Sequence, residues 1–337
     1  MLKTIKNMSN KTKYPKDLYK MLITEYSFIL SFILLVIIAA SVNKNFFTWT
    51  NISNIFVQSS MVGLIAMGMS MVISAGLIDI SVGSQVAFIG SFGILVLNNT
   101  GSIFIMLLFC IVVGFILGGL NGLMVTKGGI PAMIATMAMQ SACRSIINHF
   151  GSGGPFTVNK EYYESLRMLA VGGIYITPKF KIPYLMIIFC AAGIIFDIIM
   201  KHTKFGKYIY AVGSNETSAR LSGINVDLVK ACTFIVTGIM CGITSLIYAS
   251  RTTAVAAASA ATGFEMDAIA AVAIGGTSMS GGKGKIIGTF IGVLMFKMIS
   301  NILTAADVST YLNGAISAAI IVIAVLMQKL QNSKKSS

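Results

Sequence analysis

Residues 273–285 read AIGGTSMSGGKGK, a glycine-rich stretch with the look of a loop that wraps a phosphate. The phosphate-loop signature G-x-x-x-x-G-K-[ST] requires an earlier glycine before the Gly-Lys pair and a hydroxyl after the lysine. Set on Gly282-Lys283, the earlier position is Thr277 and the later one is Gly284. The pattern fails at both ends, and no buried strand of a βαβ unit precedes it. Hydrolytic chemistry is also unsupported: H-E-x-x-H, G-x-S-x-G and a Ser/His/Asp set are absent. Cys110, Cys143, Cys190, Cys232 and Cys241 lie singly in apolar runs without metal-ligand spacing and read as small buried hydrophobes. His149 and His202 form no cluster. The residues therefore point to no enzyme, no metal and no cofactor.

Those residues sit in a chain that is 55% hydrophobic and only 11% charged. Soluble proteins carry roughly 25% charged residues, so a water-facing surface cannot be built from this composition, and the class is polytopic membrane protein. The net charge of +14 belongs to lysines flanking spans rather than to nucleic-acid binding. Acidic residues in such a chain are informative, because charge is expensive in lipid. Asp79 lies in AGLIDISVGS, Asp197 in GIIFDIIMK, and Glu265 and Asp267 in GFEMDAIAAV. Asp197 is near a span end and reads as solvated. Asp79, before Ser81, Gly83 and Ser84, either caps a helix start, where a carboxylate suits free N–H groups and the positive dipole end, or forms a polar wall in a water-filled path. Both readings are compatible. Glu265 and Asp267 would likewise cap a helix. Ser81, Ser84, Gln85, Asn121, Thr136 and Gln140 add hydroxyl and amide groups within the apolar runs.

The elements that must hold these residues are spanning helices of about 20 residues. About ten are expected, at roughly 26–42, 54–74, 79–97, 102–126, 130–150, 183–201, 229–249, 264–280, 284–303 and 311–329. Placing the lysine-rich N-terminus in the cytoplasm puts Lys127, the linker 201–230, Lys283, Lys285 and the C-terminal lysines inside as well, as the positive-inside rule requires. The expected fold is all-α: a polytopic bundle with both termini cytoplasmic and broken helices. It divides into a cytoplasmic segment 1–25, a transmembrane domain 26–329 with an external loop at about 151–182 and a cytoplasmic loop at about 202–228, and a tail 330–337. Small residues at four-residue spacing (Gly114 and Gly118; Gly238 and Gly242; Gly284, Gly288 and Gly292) predict close helix contacts. At an offset of 199, Gly76, Ser81, Gly83 and Gly93 match Gly275, Ser280, Gly282 and Gly292, an echo of the internal repeats of transporters.

The cytoplasmic linker reads KFGKYIYAVGSNETSARLSGINV over 204–226. Asn215 is a good N-cap, Glu216 suits the positive end of a helix, Arg220 suits its last turn and Gly223 its end. A two-turn helix is marginal alone in water. It is either an ordinary capped loop helix or one held by a docking partner.

AVGSNETSARLSGINV and FEMDAIAAVAIGGTSMSGGKGKIIGTFIG resemble the permease subunits of ATP-binding-cassette importers for ribose and related sugars. AGLIDISVGS and GGIPAMIATMAMQSACRSI, with Pro131, Ile134, Ala135 and Thr136, resemble two further segments of that family. The resemblance covers roughly residues 45–328 and leaves 1–42 largely unmatched. It implies a second permease copy, identical or related, a cytoplasmic ATPase, an external sugar-binding protein, a sugar substrate and surrounding lipid, with no nucleic acid. Gly213, Asn215, Glu216, Arg220, Leu221, Ser222, Gly223 and Ile224 then fall on the coupling helix that docks the ATPase. Asp79, Ser81, Gly83, Ser84, Thr136, Asp267, Gly275, Gly276, Gly281 and Gly282 become candidates for the translocation pathway or its hinge. The wider superfamily also carries branched-chain amino acids, nucleosides and a signalling furanone. An ion-coupled secondary carrier using Asp79 and Asp267, or a sugar-sensing receptor, are the rivals from other classes.

Overall fold

A computed structural model describes residues 27–177 and 180–307, with three further helical positions at 315, 319 and 322. Its elements are α1 (Ser27–Val42), α2 (Trp49–Ser74), α3 (Val82–Thr100), α4 (Ile103–Thr126), α5 (Ala132–Phe150), β1 (Pro155–Thr157), α6 (Lys160–Val171), β2 (Gly173–Thr177), β3 (Phe180–Pro183), α7 (Tyr184–His202), α8 (Lys204–Ser214), α9 (Glu216–Leu221), α10 (Val226–Thr252), β4 (Ala254–Ala256), α11 (Phe264–Ile274) and α12 (Ile286–Ala305). The segment 1–25, the span expected at 311–329 and the tail 330–337 lie outside the described residues, those three positions aside.

Side chains set several helix starts. Thr48, Ser102 and Asn225 each accept a hydrogen bond from the backbone N–H three residues on, at Asn51, Ile105 and Leu228. Among the described residues, six helices, α2, α3, α4, α7, α10 and α12, are long and apolar enough to cross a membrane. The protein is a mostly helical membrane protein.

Contacts between chain ends sort the connections onto two faces. On one, Asn98 at the end of α3 donates to the Thr157 carbonyl and accepts from the Asn159 N–H, and Trp49 Nε1 donates to the Lys181 carbonyl. Strand β1 pairs antiparallel with β4, Phe156 opposite Val255, and β2 pairs with β3. On the other face, Gly282 N–H donates to the Ser74 carbonyl, Tyr210 Oη to the Gly284 carbonyl, and Lys127 approaches Asp227 at 3.9 Å. This second face gathers Lys127, Lys201, Lys204, Lys207, Lys230, Lys283 and Lys285.

Helix α2 runs through the centre, with every residue from Val62 to Ser74 buried. Against it, Phe189 of α7 covers Gly63 and stacks on Phe290 of α12 with ring centroids 4.4 Å apart. Helices α4 and α10 meet through the spaced glycines. A Cβ on Gly118 would lie 2.9 Å from Ile235 Cα, and one on Gly122 2.9 Å from Ala231 Cα. Backbones pack this closely only where one side lacks a side chain.

The structure departs from the expected elements in four places. Four short strands among the described residues qualify the all-α expectation; β1, β2 and β3 lie in the stretch from 155 to 183, where GIYIT and FKIP pair as a hairpin, and β4 pairs with β1. The span expected at 79–97 starts later, because residues 77–81 are not helical and α3 begins at Val82. The span expected at 264–280 stops at Ile274, giving α11 only 11 residues. That is about 16 Å of helix, half of a hydrocarbon layer about 30 Å thick. Gly276, Gly281 and Gly282 follow with φ of 81°, 83° and 72°, which no helix continues through. Finally, α5 has 19 residues, matching 130–150, but is not among the six helices apolar enough to span.

Candidate functional site

The first break follows α2. Leu77 N–H reaches back to the Val72 carbonyl and Gly76 N–H to Ile73, with Gly76 at φ 82°. This is the Schellman helix stop, which needs a left-handed residue at that position. Beyond it residues 77–81 run without regular structure inside the protein, where free backbone groups must find partners. Side chains supply them. Asp79 Oδ1 accepts from Ser81 N–H at 2.9 Å and Ser81 Oγ at 2.6 Å. Ile80 N–H donates to Thr136 Oγ1 at 3.3 Å. Asn121 Nδ2 and Gln85 Nε2 donate to Ser81 Oγ at 2.9 and 2.7 Å, and Asn121 Nδ2 also lies 3.4 Å from Asp79 Oδ2. Asp79, Ser81, Ser84, Gln85, Asn121 and Thr136 are all buried, Asp79 with no surface exposed. In this conformation Asp79 braces the start of α3 and faces no open path.

A second non-helical segment, 253–263, meets the start of α3. Gly83 packs directly on Ala261 and Glu265, and a Cβ there would lie 2.5 Å from the Ala261 carbonyl oxygen. Glu265 is 8% exposed and sits in the first turn of α11. The N-terminal ends of α3 and α11 thus come together inside the protein, each with a carboxylate beside its positive dipole end. Asp267, in the same first turn, pairs with Lys297 of α12 at 3.1 Å, both about one-fifth exposed or less.

The second break repeats the first. Thr277 N–H returns to Val272, Gly276 N–H to Ala273 and Gly275 N–H to Ala271, the bonds that Leu77, Gly76 and Ala75 make to Val72, Ile73 and Met71. The geometric offset is 276 − 76 = 200, one more than the sequence match suggests. Gly76 corresponds to Gly276, not to Gly275.

Both breaks converge on the end of α8. Gly282 N–H donates to the Ser74 carbonyl, Tyr210 Oη to the Gly284 carbonyl at 2.9 Å, and Ser214 Oγ approaches the Gly282 carbonyl at 3.5 Å. There is no room for a side chain at Gly213, where a Cβ would stand 2.6 Å from Gly282 N and 2.9 Å from the Ser74 carbonyl carbon. A Cβ on Gly281 would meet Gly76 Cα at 2.9 Å. Gly76, Gly213, Gly281 and Gly282 therefore form one contact.

Helix α9 leaves from this contact. Asn215 Oδ1 accepts from Ser218 N–H at 2.8 Å, and Gly223 ends the turn at φ 81°. Glu216 pairs with Lys230 at 2.7 Å and with Arg220 at 3.5 Å, and Arg220 pairs with Asp227 at 3.1 Å. The Lys230 hydrogen bond holds the Glu216 carboxyl below its ordinary range, and Asp227 raises the Arg220 guanidinium further. These bonds fix α9 to the base of α10 while leaving its tip bare. Leu221 is 85% exposed, with Ser222 and Gly223 beside it, and Ile224 is half-buried.

The candidates from the sequence therefore fall into three groups: the braced segment of Asp79, Ser81, Gly83, Ser84 and Thr136; the turn of Gly275, Gly276, Gly281 and Gly282 with Gly213; and α9. Asp267 stands apart, paired with Lys297. Sequence reasoning passed over Lys297, although a lysine inside an apolar run carries the same signal as an aspartate. Tyr210 and Ser74, which tie α8 to the breaks, carry no signal in the sequence.

A family model described as "Branched-chain amino acid transport system / permease component" matches residues 51–325. The ribose import permease protein of Haemophilus influenzae is 37% identical over 94% of this chain and 96% of its own length. The ribose import permease of Escherichia coli K12 is 35% identical over 90% and 93%, and the xylose transport system permease of Haemophilus influenzae 29% over 85% and 90%. No solved structure matches significantly.

Proposed function

Since the chain belongs to that transport-system permease family, we propose that it is the membrane-spanning subunit of an ATP-driven importer for ribose or a related monosaccharide. It is a multi-pass inner-membrane protein of a permease family, not of an enzyme family. On this reading ATP is hydrolysed on a separate cytoplasmic subunit, an external binding protein delivers the sugar, and a second permease copy completes the pathway. On the same reading the lysine-rich face is cytoplasmic, both termini lie inside and the chain crosses the membrane about ten times, as the positive-inside rule favours.

The observation that carries the proposal is α9. A short helix, pinned to the base of α10 by two ion pairs, presents Leu221 bare to solvent, and its stem is joined through Gly213 to the breaks after α2 and α11. An apolar tip suits a groove on a partner, and the glycine contact gives a rigid route from that partner to the irregular segments. The 37% identity to a ribose permease favours ribose over the other solutes of the family. An ion-coupled carrier would use Asp79 and Asp267, but Asp79 is sealed in hydrogen bonds and Asp267 is held by Lys297.

The test is a mild-detergent pulldown of the tagged protein from its native membrane. The reading expects an ATPase to co-elute, to be lost with Leu221→Asp or Gly223→Pro, and to be stimulated by one sugar-loaded binding protein. Elution alone, with sugar uptake driven by a proton gradient, would contradict it.

A further inference from the structure

Helix α5 differs from the other long helices in what it shows to its surroundings. Helix α4 exposes Phe104, Leu108, Val112, Phe115 and Ile116, and α7 exposes Ile187, Ile188, Ile194, Ile195 and Ile198. Those faces suit lipid. Helix α5 exposes apolar residues as well, Met133, Ile134, Met137, Ile146 and Phe150, but in its second half it also exposes Ser141, Ala142, Ser145 and Asn148, with Gln140 and Arg144 half-exposed beside them. A polar face of this kind is costly against hydrocarbon and belongs against water or protein.

The segment 253–263 lies on the same surface. Arg144 donates to the Ala257 carbonyl at 3.0 Å, to the Ala260 carbonyl at 2.6 Å and to Thr262 Oγ1 at 3.4 Å. Ser259 and Thr262 are exposed there. The depth of this segment follows from α3. Ala261 packs on Gly83, and Gly83 precedes Asn98, which marks the outer face, by fifteen helical residues or about 22 Å. Irregular backbone so far into a bilayer is tolerated only where protein covers it or it borders a water-filled space. Its exposed hydroxyls indicate the second.

Resting on the importer reading, we propose that Ser141, Arg144, Ser145, Asn148 and Thr262 line the route of the transported solute, opening toward the face of β1 and β4. The surface offers hydroxyls, an amide and a guanidinium already engaged with backbone carbonyls. It carries hydrogen-bonding capacity with no free carboxylate, which suits a neutral polyhydroxylated solute. Met137 and Met266, each about half exposed, supply soft apolar walls at its sides. Arg144 acts as a positioning residue, holding the 257–262 backbone in place.

The test is cysteine accessibility in the complete importer in intact membranes. The background carries Cys190→Ala and Cys232→Ala, since the other native cysteines are buried. Ser141→Cys, Ser145→Cys and Thr262→Cys are compared with Leu108→Cys and Phe115→Cys on α4. A charged, membrane-impermeant methanethiosulfonate is the probe. The α5 and loop positions are expected to label at least about tenfold faster than the α4 positions, since reactivity follows aqueous exposure. D-ribose or D-xylose at saturating concentration should slow that labelling severalfold. Labelling no faster than at Leu108→Cys would overturn the proposal. So would spontaneous disulfide linkage of Ser145→Cys between two copies with no labelling, which would make this face a dimer contact. ATP-dependent uptake, measured in the same strains, separates the two claims: intact uptake with failed labelling removes only the solute route, whereas loss of ATP dependence removes the importer reading.

Discussion

Gly213→Ala isolates the glycine contact from the docking tip. The added methyl would stand 2.6 Å from Gly282 N and 2.9 Å from the Ser74 carbonyl carbon, and closer still to the Ser74 oxygen. Ordinary carbon contacts begin near 3.5 Å, so the three segments must part by close to an ångström. All the nearby atoms are backbone, and no side chain can swing away. Overpacking of this kind costs about 1–3 kcal/mol. If the contact transmits the ATPase's motion, that energy falls on the native arrangement and lowers the coupled fraction by about 5–150-fold. Leu221 and the ion pairs of α9 lie outside the clash, so the ATPase should still co-purify. The assay is sugar uptake and ATP hydrolysis by the reconstituted complex, side by side. Uptake per ATP should fall by at least about fivefold while co-purification is unchanged. Gly119→Ala is the control, because its nearest neighbour is Ile235 Cγ1 at 3.9 Å and it should be neutral or slightly stabilising. Uptake at the wild-type level in Gly213→Ala would refute the role given to this contact.

Three further outcomes follow from the geometry. Asp79→Ala strips the acceptor from the buried Ser81 N–H and hydroxyl and should destabilise the protein in detergent by about 1–3 kcal/mol, read as a lowered Tm, with Asp79→Asn less damaging. Lys297→Met should harm stability more than the double change Lys297→Met with Asp267→Leu, because the single change leaves a carboxylate unpaired among apolar neighbours; equal losses would argue against the pair. Glu216, whose carboxyl is held below its ordinary value of 4.5, stabilises α9 fully above that value and loses its contribution as pH falls through the lower folded value. The carboxylate is about half exposed, so the effect is a few tenths of a kcal/mol up to about 1. Amide exchange over 216–224 should accordingly differ between wild type and Glu216→Gln at pH 7, and the difference should shrink once pH falls past the ordinary value of 4.5 and vanish below the lowered folded value.

Helix α9 was legible because its signals are local: Asn215, Glu216, Arg220 and Gly223 each occupy the position their chemistry prefers. The glycine spacings in α4, α10 and α12 were legible for the same reason, since close backbone approach requires a missing side chain at a fixed interval. The early end of α11 and the irregular run before α3 were less so. Hydropathy averages over Gly275–Gly282 and Ile78–Ile80, whereas the backbone responds to single left-handed glycines. Asp79 finds its nearest partner locally, in Ser81, but its contact with Asn121 and the pairing of Asp267 with Lys297 span 42 and 30 residues, and no local pattern announces them. The junction of Ser74, Gly213 and Gly282 is a tertiary contact between three connections and has no signature in any one of them. The polarity of α5 was present in the sequence, but its meaning depends on which face is exposed.

The central claim is that this chain carries sugar inward under the control of an ATPase docked on its lysine-rich face. Its most direct test is uptake of radiolabelled ribose into proteoliposomes holding the permease with its co-purifying ATPase, with loaded binding protein outside and ATP sealed within. The account predicts accumulation that requires internal ATP, stops with Leu221→Asp, and is indifferent to a proton gradient. Accumulation on a proton gradient without ATP, or ATP-driven uptake unaffected by Leu221→Asp, would contradict it.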